Sequence, residues 1–391
     1  MSISLGDLVD SVETWSPERD APDQSFKYID LSAIDQEVKA IVGAHEVPCA
    51  EAPSRARQIV VAGDVLVSTV RPNLNGVARV PSEMDGATAS TGFCVLRPRP
   101  QKLDGAYLFH WIRSPRFIAE MVRRATGANY PAVSDRIVFD SKIPLPSLPE
   151  QRRIAEILDK ADTLRAKRRA ALAQLDTLTQ SIFLEMFGDP ATNPKGWPKS
   201  ELGEVVNVVG GYAFKSEDFA AEGSRVVRIS NLTGDGIDVT GIVRIPESKI
   251  GKGASFKIHP GDILIAMSGA TTGKLGVVPL EMGEVLYQNQ RVGNYQISDS
   301  TKIQRDYLLD LLRSTFYQRF LWQLAAGVAQ PNVSGSQLES AVVPLPPMEL
   351  QRDFARRVAA VEKLKTTHRA HFGELDALFA SLQHRAFRGE L

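Results

Sequence analysis

Cysteine is nearly absent from this chain: Cys49 and Cys94 are the only two, in no metal-like spacing. That excludes a disulfide-stapled scaffold and a Cys-ligated zinc site, and both thiols are expected to be reduced packing residues. An excess of positive charge is missing too, since 46 Lys and Arg face 46 Asp and Glu for a formal net charge of +0. Loose, sequence-indifferent nucleic-acid binding depends on a broad basic excess, so it is not expected here; a reader with locally concentrated basic residues stays open. Long apolar runs are lacking as well. The opening MSISLGDLVD carries two acids, which fits neither a signal peptide nor a membrane anchor and implies an intracellular, cytoplasmic location without membrane partners. A phosphate-binding loop is not formed by GATTGK at 269–274, which has one residue too few between its glycines and no Ser or Thr after the Lys.

What is present is a repeat. Positions 143–162 read IPLPSLPEQRRIAEILDKAD and positions 343–362, at an offset of 200, read VPLPPMELQRDFARRVAAVE. Pro144, Leu145, Pro146, Gln151, Arg152 and Ala155 are identical to Pro344, Leu345, Pro346, Gln351, Arg352 and Ala355. The offset also relates Arg113-Ser114 to Arg313-Ser314, Gly127 to Gly327, Pro131 to Pro331, and Val133-Ser134 to Val333-Ser334. Earlier it slips to 198, where AGDVLVS at 62–68 meets PGDILIA at 260–266, as loop insertions would cause. The length of 391 residues allows two or more cores, and with 43% apolar and 24% charged residues the composition is that of a soluble globular chain. The chain is read as two copies of one unit, each a domain of roughly 145 residues followed by a segment of about 40.

The globular parts read as strand-rich: QIVVAGDVLVSTV, GFCVLRP, SRVVRIS, GDILIAM and KLGVVPL are Val- and Ile-rich between Gly, Pro and Asn punctuation. One helical pattern per copy stands out, GAYLFHWIRSPRFIAEMVRRA and RDYLLDLLRSTFYQRFLWQLAA, with Pro115 implying a break in the first. After each Pro-rich stretch a long helix is predicted. Ile154, Ile157, Ala161, Leu164, Ala171, Leu175, Leu178 and Ile182 form a coiled-coil seam interrupted by Arg168; Phe354, Val361, Leu364, Leu375, Leu378 and Leu382 take the matching slots, with His368 and His371 packing against Arg168. The first helix should end near Gly188-Asp189-Pro190. A one-stripe helix needs a partner, and the duplication supplies it within the chain.

The expected fold is therefore α+β and pseudo-twofold symmetric. Strand-rich domains at 1–146 and 189–346 alternate with long helices at 147–188 and 347–391 that pair antiparallel as a coiled coil. A helix of about 39 residues spans about 58 Å, or about 17 base-pair steps. Two readers on a rigid spacer suit a ligand with two separated sites, and duplex DNA is such a ligand.

The stretch IPLPSLPEQRRIAEILDKADTLRAKRRAALAQLDTLTQSIFLEMFGDP, its degenerate repeat, GDILIAMSGATTGKLGVV and GVAQPNVSGSQLESAVVPLPP together resemble the specificity subunits of type I restriction-modification systems, over essentially the whole chain. The clearest departure is Glu349-Leu350, which replaces Pro149-Glu150 at the second helix entry. The resemblance implies two target-recognition domains, each reading one half of a bipartite, asymmetric double-stranded DNA site. It also implies long helices that space the domains and dock two methyltransferase subunits. Catalysis would sit on partners: adenine methylation with S-adenosylmethionine on the methyltransferases, and ATP-driven, Mg-dependent translocation and cleavage on restriction subunits. No cofactor is expected on this chain. Alternative readings are the specificity part of a fused restriction-methylation enzyme or another phage-defence complex, and a scaffold whose strand-rich domains bind proteins.

Base edges are read by Arg, Asn, Gln, Ser and Thr on loops or strands, whereas phosphates accept any donor. In the first domain STVRPNLNG offers Ser68, Thr69, Arg71, Asn73 and Asn75, and TGANYPAVSDR offers Thr126, Asn129, Tyr130, Ser134 and Arg136. The second offers Ser268, Thr271, Thr272 and Lys274, then Gln288, Asn289, Gln290 and Arg291, then Gln330, Asn332 and Ser334. Turn chemistry or a solvated loop competes at each position. Gly127, Pro131 and Ser134 recur as Gly327, Pro331 and Ser334, which suits a shared structural turn, while Asn129-Tyr130 and Ala329-Gln330 differ, which suits discrimination. Arg113, Arg116, Arg123, Arg124, Arg313 and Arg319 are phosphate candidates or a solvated helix face. Pro22-Asp23 with Glu37-Val38-Lys39 mimics a nuclease motif, yet Asp140-Ser141-Lys142 and Glu247-Ser248-Lys249 match its second half equally. His368 and His371 lack a third metal ligand, and Asn193-Pro194 lacks the aromatic partner of an adenine methyltransferase pocket.

Overall fold

Val- and Ile-rich stretches bounded by turn residues become short strands, and in both copies they assemble in the same way. The computed structural model describes residues 2–127, 129–325 and 331–391, so Gln330 and Gly327 lie outside the described residues. Two compact units are present, Met1–Ala171 with His368–Leu391 and Leu172–Thr367.

In the first unit, Val9–Asp10, Phe93–Pro98, Val65–Ser68 and Val77–Arg79 form one antiparallel sheet in that order. His45–Pro48, Ser25–Ile29, Thr88–Ser90 and Ala56–Ile59 form a second, in which the middle pair is parallel. Ser2–Ser4 pairs with Lys142–Pro144. In the second unit Val206–Gly210, Val292–Ile297, Ile263–Ala266 and Leu275–Val277 repeat the first order. Arg244–Ile245, Ser224–Val227, Leu286–Gln288 and Lys257–Ile258 repeat the second, again with a parallel middle pair. Lys199–Glu201 lies on Val342–Pro344. The duplication is one of topology as well as of residues.

Each copy contains two helices where the periodicity suggested one: Gly105–Ile112 and Pro115–Arg124 in the first, Arg305–Arg313 and Thr315–Ala325 in the second. Pro115 marks the first break, but the second has no proline. The shared cause is serine: Ser114 and Ser314 are extended at the junction, and each Oγ accepts from the amide three residues on, Phe117 or Tyr317, at 3.3 Å.

The repeated glutamine explains part of the echo. Gln151 and Gln351 are fully buried. Gln151 Oε1 accepts from the Asp104 amide at 2.8 Å, and its Nε2 donates to the carbonyls of Lys102 and Pro146 at 3.1 and 3.0 Å. Gln351 does the same with Gln304, Lys302 and Pro346 at 2.8, 2.9 and 2.8 Å. The Tyr107 and Tyr307 hydroxyls donate to the Pro144 and Pro344 carbonyls at 2.8 and 2.7 Å. Each Pro-rich entry is thereby clasped to the helical layer of its own domain.

The long helices run Leu148–Phe187 and Met348–Ala386, starting at equivalent positions despite the Glu349-Leu350 change. The first stops where Gly188 turns to φ 79. In the first unit, Ile154, Leu158 and Ala161 share a core with Phe379, Ala386 and Phe387, and Phe387 lies 5.0 Å from Trp111. In the second, Phe183 and Phe187 from the end of the first helix pack on Phe354 from the start of the other, at 5.7 and 5.3 Å. Start meets end in each unit, so the helices pair antiparallel.

The seam differs from the heptad expectation. Leu164, Leu178, Leu364 and Leu378 are 52, 41, 45 and 49% exposed, and His371 is exposed too. Polar groups occupy the middle instead. Arg165 bonds Asp376 at 2.6 Å and Asp162 at 2.8 Å. Lys365, its equivalent, bonds Asp176 at 3.1 Å and Glu362 at 2.9 Å. Arg168 donates to His368 Nδ1 at 3.1 Å, as the repeat alignment anticipated. With both helix ends anchored in aromatic cores, the contact line follows the straight-helix period of 3.6, and a strict seven-residue stripe drifts off it by about 20° per heptad.

Candidate nucleic-acid interface

In the first unit two loops far apart in sequence meet beyond the end of strand Val65–Ser68. Arg71 adopts φ 51 and its amide donates to the Pro131 carbonyl at 2.7 Å; the turn Pro72–Leu74 follows, closed by Asn75 at φ 47. Left-handed backbone at two non-glycine residues must be held by its surroundings. Here the Asn75 side chain donates to the Ile112 carbonyl at 3.0 Å, and the Lys39 ammonium donates to the Asn75 carbonyl at 2.6 Å. Burial, followed by the charge of Arg113, brings the Lys39 ammonium down to about 8. Across the gap, the Arg71 guanidinium lies 5.0 Å from the ring centre of Tyr130, which is 69% exposed. An exposed guanidinium stacked on an exposed phenol offers donors and a flat apolar face together.

The second unit builds its counterpart from three loops. The Met267 amide donates to the Arg291 carbonyl and the Val333 amide to the Met267 carbonyl, both at 2.9 Å, which brings the turn after Ile263–Ala266 against 289–291 and 331–333. Ser268 bridges Asn332, and Arg291 donates to the Asn332 side-chain oxygen at 2.8 Å. The Thr272 hydroxyl donates to the Gly269 carbonyl at 2.7 Å. Lys274, Gln290, Arg291 and Asn332 remain exposed.

Among known families, the type I restriction modification DNA specificity domain matches residues 57–174 and 194–371. The chain belongs to that family. Family membership agrees with the two-copy topology, since the matched segments fall one in each copy. The type I restriction enzyme MjaVIII specificity subunit of Methanocaldococcus jannaschii is 28% identical over 285 residues, covering 69% of this chain and 66% of the relative. The EcoBI specificity subunit of Escherichia coli is 24% identical over 331 residues, covering 76% and 68%. The chain thus matches about two thirds of the length of each of these relatives. A solved chain from work on complex assembly and conformational transition of the type I R-M system is 27% identical with a TM-score of 0.62, covering 100% of this chain and 98% of that one.

Within this specificity-family fold the residues chosen from sequence separate into three groups by exposure. Thr69, Asn75 and Gln288 are buried, at 8, 8 and 2% exposure. Thr69 donates to the Gly92 carbonyl, Asn75 to that of Ile112, and Gln288 to those of Val209 and Val292, so these side chains brace loops from inside. Ser68, Thr271, Thr272 and Asn289 are half-buried in turns. Arg71, Asn73, Thr126, Asn129, Tyr130, Ser134, Arg136, Lys274, Gln290, Arg291 and Asn332 are exposed. Ser334 caps the following helix by accepting from the Gln337 amide, whereas Ser134 stands at the equivalent N-cap without a side-chain bond; Gly127 at φ 102 has no room for a Cβ beside the Tyr130 carbonyl. Of the helix arginines, Arg113 is tied to Asp162 at 2.6 Å, Arg124 to Glu120 and the Ile137 carbonyl, and Arg313 to Asp235; Arg116, Arg123 and Arg319 are exposed.

Sequence reasoning missed the turn after the parallel strand Ser224–Val227 and a hairpin turn at 35–39 closed by the antiparallel pairs Ile34–Ile41 and Asp35–Ala40. In the second unit the Asn289 amide donates to the Val227 carbonyl, which sets Arg228 beside the 289–291 loop. In the first, the hairpin turn at 35–39 reaches the Arg71–Asn75 turn through Lys39. Parallel pairing places both strand ends on one side, but parallel pairing is a tertiary fact that no local pattern in SRVVRIS announces. Among the described residues no group of three His, Cys, Asp or Glu side chains is placed to hold a metal, and no helix is long and apolar enough to cross a membrane.

Proposed function

We propose that each strand-rich domain reads one half of a bipartite, asymmetric site in double-stranded DNA, with the long helices setting the spacing and docking two methyltransferase subunits. Supporting this most directly is the pair of exposed polar faces. They stand at the same topological position in both copies, on a scaffold the copies share, yet they carry different side chains: Arg71, Asn73, Asn129 and Tyr130 in one, Lys274, Gln290, Arg291 and Asn332 in the other. Equal frames with unequal contacts fit two unlike half-sites.

In this reading the chain is non-catalytic. It directs adenine methylation by partners that hold S-adenosylmethionine and, with restriction subunits that use ATP and Mg, cleavage of unmodified DNA in the cytoplasm. Selection from a random duplex library by the full chain tests it. The expected product is two unlike sequence elements at a fixed gap, with Arg71→Ala relaxing one and Arg291→Ala the other. Enrichment of nothing, or of a single element, refutes the reading. The purified chain alone should neither methylate nor cut the selected duplex, and adding a methyltransferase partner should yield adenine methylation without cutting.

A further inference from the structure

Lys39 lies outside every loop singled out for base reading. Its backbone is held by a tight turn: the Asp35 carboxylate accepts from the amides of Glu37 and Val38 at 2.7 and 3.0 Å, and the Lys39 amide donates to the Asp35 carbonyl at 2.9 Å. From there its side chain reaches the Asn75 carbonyl at 2.6 Å and the Leu74 carbonyl at 3.5 Å. These are the last two residues of the turn that begins at Arg71.

Beside the Leu74–Asn75 end of that turn lies a groove open to solvent. The groove, of about 730 Å³, is lined by Lys39, Asn73, Leu74, Asn75, Arg113 and Arg169, among others. Pro72 is buried and anchors the start of the turn, whereas Leu74 is 41% exposed, so the Leu74–Asn75 end depends on polar tethers. The guanidiniums in the groove are engaged elsewhere, Arg113 with Asp162 at 2.6 Å and Arg169 with Glu37 at 3.4 Å. The Glu37 contact also ties the Lys39 turn to the long helix. We infer that Lys39 is a positioning residue for base discrimination by the first domain: it clamps the Leu74 and Asn75 carbonyls and so fixes where Arg71 and Asn73 point.

This inference rests on the proposed DNA reading, and the second domain supplies an internal reference. Full-length chain, Lys39→Met and Lys39→Arg are each taken through the random-duplex selection. Methionine and arginine are unbranched like lysine, so the φ of 57 at this position costs each about the same. Lys39→Met is expected to blur only the element that Arg71→Ala also blurs, to weaken binding to the wild-type-selected duplex roughly tenfold, and to leave the other element sharp. Lys39→Arg restores discrimination. Hydrogen exchange gives a reading independent of DNA: the amides of Arg71, Leu74 and Asn75, all hydrogen-bonded in the structure, should exchange faster in Lys39→Met at unchanged melting temperature. A Lys39→Met chain matching wild type in both elements, or blurring both alike, overturns the inference. So does unchanged exchange in the turn. If wild type enriches no bipartite site, the DNA reading falls, and the exchange result still decides the clamp.

Discussion

Gln151 and Gln351 show at the scale of one residue why a repeat keeps some letters and discards others. Each fully buried amide satisfies one donor and two acceptors of the main chain, a task only a side chain with both functions at that length performs. Truncating either leaves three part-buried or buried backbone groups without this partner. Gln151→Ala and Gln351→Ala should each cost about 2–4 kcal/mol in their own unit, measured by denaturant unfolding. Divergence is legible at His110 and Asp310, equivalent positions in the two copies. His110 is buried and bonds Asp159 at 2.7 Å. Opposite Asp310 the repeat carries Ala359, and burial pushes the Asp310 carboxyl up to about 6, moderated by Arg313 and Lys365 and reinforced by Asp306 and Glu362. A folded-state value above the unfolded 3.8 means that the native state binds the proton more tightly. Stability of the second unit should therefore rise as pH falls from about 6 toward 4, with that part absent above 6. Asp310→Asn should flatten this window and raise stability at pH 7.5 by on the order of 1–2 kcal/mol, followed by thermal melts across pH.

At the scale of elements, the long helices were readable in their limits and misread in their faces. Pro-rich entries, the clasping Gln and the Gly188 stop are local signals: both helices begin one residue from the expected start and the first ends one residue from its expected end, whereas the second, expected to run to 391, ends at Ala386. The apolar stripe was chosen by heptad spacing, and four of its leucines point outward because aromatic cores at both ends decide the rotation of each helix. Leu164→Gln, Leu178→Gln, Leu364→Gln and Leu378→Gln should each shift stability by no more than about 0.5 kcal/mol. A buried seam leucine would instead cost about 2–5 kcal/mol on truncation, so denaturant midpoints separate the two arrangements. The charged middle follows a rule of its own. Burial pushes the Asp162 carboxyl up, but bonds to Arg113 and Arg165 outweigh that and hold it below the usual carboxylate range.

On the scale of the molecule, each unit is assembled from distant parts of the chain. His368–Leu391 completes the first unit, where Phe379, Ala386 and Phe387 close over Tyr107, Trp111, Ile154 and Leu158. Deleting 368–391 should therefore destabilise residues 105–124 although they are untouched. Hydrogen exchange should show loss of protection across that segment and exposure of Trp111. Retained protection would mean that the first strand-rich domain closes its own core.

Sequence alone determined the duplication, the strand-rich character of each domain, the long helices and the family resemblance, because these rest on periodicity, punctuation and letter identity at fixed offsets. Two of the candidate loops, STVRPNLNG and TGANYPAVSDR, could also be named from their turn residues. Only the tertiary structure decided that Thr69, Asn75 and Gln288 face inward, that Lys39 reaches the Arg71–Asn75 turn, and that each unit borrows half of both helices. Those outcomes depend on which strand ends and helix faces are brought together across large sequence separations, and the burial that results is a property of the assembled core.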